Sequence, residues 1–127
     1  MRNLIILSTL LLSINTFAIA ERCPSLKSIR MKMETIASNI ANTNTTRTPE
    51  GGPYKPKQIK CKNKNCEIKE IADTQKKYEP SHPDADENGY VSYPSINLAT
   101  EMTEMVTATR EYEVALESCK RTTSTRR

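Results

Sequence analysis

Apolar residues recur over residues 24–42 at Leu26, Ile29, Met33, Ile36 and Ile40, in alternating steps of three and four. This spacing predicts an amphipathic helix with a heptad-like seam over 24–42, and Pro24 suits its first turn, where a missing N–H costs no hydrogen bond. The run NTNTTRTPEGGPYKP that follows predicts a loop over 43–56. Its Asn and Thr side chains compete for backbone hydrogen bonds, and its prolines and glycines bar regular helix. The helical period returns at Leu98, Met102, Met105, Thr109, Tyr112, Leu116, Cys119 and Thr123, so a second helix is predicted over 97–122 with Asn97 as its cap.

Between the helices the pattern changes to one of paired strands. Folding KQIKCKNKNCEIKE back on itself sets Ile59 opposite Ile68, Cys61 opposite Cys66, Lys60 opposite Glu67 and Lys57 opposite Glu70. Like then meets like in the apolar pairs and charges meet their opposites, which predicts an antiparallel hairpin over 57–71. The stretch 72–96 carries turn formers and reads as a loop. The fold class expected is mainly α: an antiparallel pair of long terminal helices with a coiled-coil-like seam, and a small hairpin and extended loops between them.

The first twenty residues, MRNLIILSTLLLSINTFAIA, have a basic start, an apolar run and an A-x-A end. This is the shape of a secretory signal peptide, with cleavage expected after Ala20 and one domain over 21–127. No stable membrane insertion is expected once the signal is removed, and the compartment is oxidising. All four cysteines, Cys23, Cys61, Cys66 and Cys119, lie in the remaining part, which favours disulfides. The hairpin pairs Cys61 with Cys66. Antiparallel closure of the helices brings Leu26 to Leu116, Ile40 to Met102 and Cys23 to Cys119; a shift of one heptad would also align apolar residues, so this register rests on the cysteines and not on packing alone.

Charge and composition narrow the function. The 19 basic and 15 acidic residues are interspersed, no Trp is present, and the single Phe lies in the leading segment, so nucleic-acid binding is not expected. A lone histidine, His82, leaves the C-x4-C pair short of zinc ligands. Met33, Met102 and Met105 read as seam residues and not as a copper site. The stretch HPDADENGYV at 82–91 matches the opening of an EF-hand loop at Asp84, Asp86, Asn88 and Gly89, but Ser95 stands where the bidentate Glu is needed. It is read as a turn. No cofactor, metal, small-molecule substrate or catalytic residue is expected.

Two stretches carry more specific information: SNIANTNTTRTPEGGPY at 38–54 and YEPSHPDADENGYVSYPSINLATEMTEMVTATREYE at 78–113. Together they resemble the flagellar basal-body rod protein C family, the proximal rod proteins of bacterial flagella. The resemblance spans about Leu26 to Thr123. It implies an axial structural subunit without catalytic activity, packed through its terminal helices against other rod subunits and copies of itself, in the periplasmic part of the basal body. The rod transmits motor torque to the hook. Members normally leave the cell through the flagellar export apparatus with no cleaved signal, so this chain reads as a secreted, disulfide-bearing variant. The alternative is a soluble periplasmic binding module that keeps the rod-protein fold without polymerising.

Overall fold

A computed structural model describes residues 23–63 and 65–124; the expected signal segment 1–20 lies outside them. The order of elements is α1 (Pro24–Ala41), β1 (Lys57–Lys62), β2 (Asn65–Glu70), β3 (Thr74–Tyr78), β4 (Tyr90–Pro94) and α2 (Leu98–Ser124). The two helices pack on each other, β1 packs on α1, and the four strands form two separate antiparallel pairs. Mainly helical architecture with small β-units between the terminal helices is thus the observed fold.

Helix α1 begins at Pro24 and stops where the Asn and Thr run begins. The Asn42 side chain donates to the Ser38 carbonyl at 2.8 Å, and the Thr43 hydroxyl to that of Ile40 at 2.9 Å. These bonds satisfy carbonyls that the end of a helix leaves open. At the start of α2 the Asn97 side chain accepts the Thr100 N–H at 3.1 Å, the cap its position predicts.

The β1–β2 register pairs Ile59 with Ile68, Lys60 with Glu67 and Cys61 with Cys66, as the charge and apolar pattern requires. Disulfides join Cys61 to Cys66 and Cys23 to Cys119; the Cα atoms of the latter pair are 6.3 Å apart.

Residues 72–96, expected as a loop, contain a second strand pair, in which Thr74 faces Pro94 and Tyr78 faces Tyr90. Val91, Tyr93 and Pro94 are buried along β4, whereas every residue of β3 is exposed. The β3 sequence TQKKY therefore has no apolar alternation, and it becomes a strand only because β4 supplies a partner edge. Gly89 closes the turn at φ +79°, and a Cβ there would meet a Tyr78 ring carbon at 2.9 Å. Both its backbone angle and the space beside it require glycine.

The seam of α2 also differs from the heptad expected. Its inward stripe runs Glu101, Met105, Ala108, Tyr112, Ala115 and Cys119. Met105, Tyr112 and Cys119 belong to both patterns, and Leu116 is half-buried, but Leu98, Met102 and Thr109 are exposed. A spacing of 3.5 residues stays on one face only if the helices supercoil; in a straight helix of about 3.6 residues per turn it drifts by about 20° per heptad. Leu98 lies three heptads from Cys119, so the apolar residues at that end rotate away from α1. On α1 the expected positions do face inward, with Leu26 and Ile36 buried and Ile29, Met33 and Ile40 half-buried.

Candidate assembly site

The polar centre of the molecule is Asn39, which is buried on α1. Its Oδ1 accepts the Lys57 N–H at 2.8 Å and the Tyr54 hydroxyl at 3.2 Å, while its Nδ2 donates to the Lys57 carbonyl at 2.9 Å. The amide thus engages the first residue of β1 as a neighbouring strand would. Nδ2 also lies 3.3 Å from both Glu101 oxygens on α2. One side chain therefore joins α1, β1, α2 and the returning loop. Tyr54, whose hydroxyl also pairs with Ser38 at 2.8 Å, closes the junction from the loop side. In the sequence Asn39 stands only within the helix predicted over 24–42 and the stretch 38–54 that carries the family resemblance. The partners that bury it return from 15 to 62 residues away, beyond any periodic pattern.

Burial at this junction lifts the Glu101 carboxyl above its ordinary value of 4.5, and Glu104 adds to the rise while the Asn39 amide opposes it. The folded chain then holds this proton more tightly than the unfolded one. The contribution to stability is complete below pH 4.5 and is lost as pH rises through the raised pKa. Glu101→Gln keeps an acceptor for Asn39 and removes the charge. Its melting temperature is expected to exceed the parent's at pH 7 and to match it near pH 4, read from thermal scans across that range.

A second junction fastens the 82–91 turn. The Asp84 carboxylate takes a hydrogen bond from Thr46 at 2.8 Å and an ion pair from Arg47 at 2.9 Å. Asp86 Oδ1 accepts the N–H groups of Tyr90 and Asn88, both at 2.9 Å. The Tyr90 bond is the main reason its carboxyl titrates below 3.8. Asp84 and Asp86 are thereby used by the turn and by loop 43–56, and no group of three or more potential metal ligands occurs among the described residues. Tyr93 donates to Glu79 at 2.8 Å, which holds its hydroxyl proton above the ordinary range.

Outside these junctions α2 presents an unusual face. Met102, Val106, Thr109, Glu113 and Glu117 recur at helical spacing on the side turned away from α1, and all are exposed. Met102 and Val106 expose 56% and 55% of their surface, Leu98 42%, and Val114, elsewhere on the helix, 70%. The Thr103, Thr107 and Thr109 hydroxyls donate to carbonyls of their own helix four residues back, so their polarity is satisfied within α2. The face is apolar at its Met102–Val106 end and acidic at Glu113 and Glu117, which suits packing against another subunit that carries apolar and basic groups.

A braced helix pair with an exposed outer face, apolar at one end and acidic at the other, has the form of a structural protein that packs against others. Comparison with known proteins gives that class its particulars. The family model described as "Flagella basal body rod protein" matches residues 26–47, and that described as "Flagellar basal body rod FlgEFG protein C-terminal" matches residues 87–120. The first contains Asn39 and the second Glu101, so the matched segments are those that meet at the central junction. The flagellar basal-body rod protein FlgC of Borreliella burgdorferi is 34% identical, over 66% of this chain and 74% of its own length. That of Aquifex aeolicus is 33% identical, over 70% and 75%. That of Salmonella typhimurium is 30% identical, over 82% and 85%. The chain belongs to the flagellar basal-body rod protein FlgC family; its role is that of a structural rod protein and not of an enzyme.

Proposed function

We propose that this chain is built into the rod in the periplasm, against other rod subunits and copies of itself, after delivery by residues 1–20 acting as a secretory signal. The exposed apolar row of α2 carries the reading: Leu98, Met102 and Val106 lie four residues apart and contribute little to the single chain's core. Among the described residues no helix is long and apolar enough to cross a membrane. The exposed row suits a protein neighbour. The disulfides support passage through an oxidising compartment. Cys23 and Cys119 would lock the helix pair and Cys61 and Cys66 the hairpin, while Leu26, Ile29, Met33, Ile36, Ile40, Met105, Tyr112 and Leu116 hold the helices together.

Mass spectrometry of purified hook-basal bodies, beside a periplasmic fraction, is expected to find the chain in the former, beginning at Glu21. Abundance in the periplasm with none in basal bodies would sink the proposal. One observation favours a second reading, a periplasmic module that does not polymerise: the Cys23–Cys119 link closes the helix pair and limits its exchange with neighbours. Monomeric behaviour at high concentration in sizing experiments supports that module, and ordered filaments exclude it.

A further inference from the structure

We propose that the β1–β2 hairpin of one copy docks, through Lys60 and Lys62, on the outward Met102–Val106–Glu113–Glu117 stripe of α2 in a second copy. The proposal rests on the rod-subunit reading and assigns the surfaces by which copies meet. It begins with where the charge lies. Of 19 basic and 15 acidic residues, the segment 55–70 holds six lysines and two glutamates, so the remaining sequence holds thirteen of each sign. The whole net charge of +4 thus belongs to the hairpin and its approach. Residues 98–118 carry the opposite balance, five glutamates against Arg110 alone.

The strand register decides which lysines are available. Lys57, Ile59 and Cys61 share one face of the hairpin with Glu70, Ile68 and Cys66, and the other face carries Lys60, Lys62, Glu67 and Lys69. Ile59 and Lys57 are half-buried, and Cys61 and Cys66 border a cleft with Pro24, Ser25 and Ser28, so the first face lies toward α1. Lys60 and Lys62 therefore point away from the body. Glu67 pairs with Lys69 at 3.1 Å, whereas Lys60 and Lys62 form no ion pair among the described residues. The Cys61–Cys66 bond closes the hairpin tip and limits the ordering that docking would require.

The C-terminal part of the α2 stripe supplies the complementary charge. Glu113 forms no ion pair among the described residues, and Glu117 is held only by the exposed Arg121. About two to four turns before them, Val106 and Met102 add an apolar surface for the body of the hairpin to cover. The hairpin packs on α1, so in one copy the two surfaces are not used on each other. Hairpin-to-helix contact uses different patches on its two partners. It therefore propagates from copy to copy and need not close into a dimer, as an axial assembly requires. Neither family match extends over 57–70, so the surface belongs to the part of this chain outside both matched segments.

Sedimentation of the purified, oxidised chain tests this. The parent is expected to self-associate at low salt and to dissociate as salt shortens the reach of the charges. Lys60→Glu with Lys62→Glu should weaken association by at least about tenfold, as should Glu113→Lys with Glu117→Lys, and the four changes combined should restore it. All four sites are exposed, and unchanged circular dichroism checks the fold of each variant. A parent that stays monomeric, reversals without effect, or no recovery on combination each overturns the inference. Binding of the parent to anionic vesicles or peptidoglycan, lost with the lysine changes while the glutamate changes have no effect on self-association, overturns it too. Failure in any of these ways leaves detection in basal bodies as a separate test of the rod reading.

Discussion

Replacing both Cys23 and Cys119 with serine is expected to lower the unfolding free energy by about 4 to 5 kcal/mol, the largest effect of any local change in this chain. The two residues are 96 positions apart in sequence, so their bond removes most of the unfolded chain's freedom. It also anchors the weaker helix end. Cys23 stands at the N-cap of α1 with no side-chain cap bond, and the first turn has no acidic residue. Without the link, the buried Leu26 side chain is the main local contact left at that end. The Cys61–Cys66 bond, with a separation of 5, closes a short loop and should contribute only about 2 kcal/mol. Urea unfolding of the two double-serine variants measures the difference. Equal losses would show that chain entropy does not set the order, and a non-reducing peptide map of the parent checks both pairings.

Loss of the Asn39 amide should have the next largest effect, with Asn39→Ala about 2 to 4 kcal/mol less stable than the parent. The substitution leaves the Lys57 N–H and carbonyl without their partner and frees the Tyr54 hydroxyl to bond only Ser38. Leaving buried polar groups unmet costs more than the lost bonds contributed. Asn39→Asp separates geometry from charge. It keeps the acceptor for Lys57 but sets a second carboxylate beside Glu101, where Nδ2 now lies at 3.3 Å. Its loss of stability is therefore expected to grow as pH rises from 4 to 7, while that of Asn39→Ala is not expected to steepen in the same way. Parallel urea titrations at the two pH values measure this. If the two variants respond identically to pH, Glu101 is not electrostatically linked to this position.

The junction also accounts for how the matched segments act together. Residues 26–47 and 87–120 are distant in sequence, yet Asn39 and Glu101 meet, Lys32 pairs with Glu111 at 3.4 Å, and Cys23 joins Cys119. These contacts run from one end of α1 to the other and keep α2 in register, with its apolar outer row on the far side. A change at Asn39 would therefore reach the packing face without touching it.

Local patterns determined much of this by themselves. The two helices follow from apolar spacing and from the Pro24, Asn42 and Asn97 boundaries, because helix formation and capping depend on residues within a few positions of one another. The β1–β2 register follows from its own fourteen residues, since cross-strand partners sit close in sequence. The turn reading of 82–91 holds for the same reason: Asp86 bonds the backbone two and four residues on. Three features were decided only by tertiary structure. Strand β3 is exposed throughout and acquires its conformation from β4. The face α2 turns inward depends on whether two helices supercoil or stay straight, a property of the pair, so Leu98 and Met102 moved from seam to surface. Asn39 became the polar centre because loop, strand and second helix converge on it, and hydrogen bonding between distant segments leaves no period in the sequence from which it could be read.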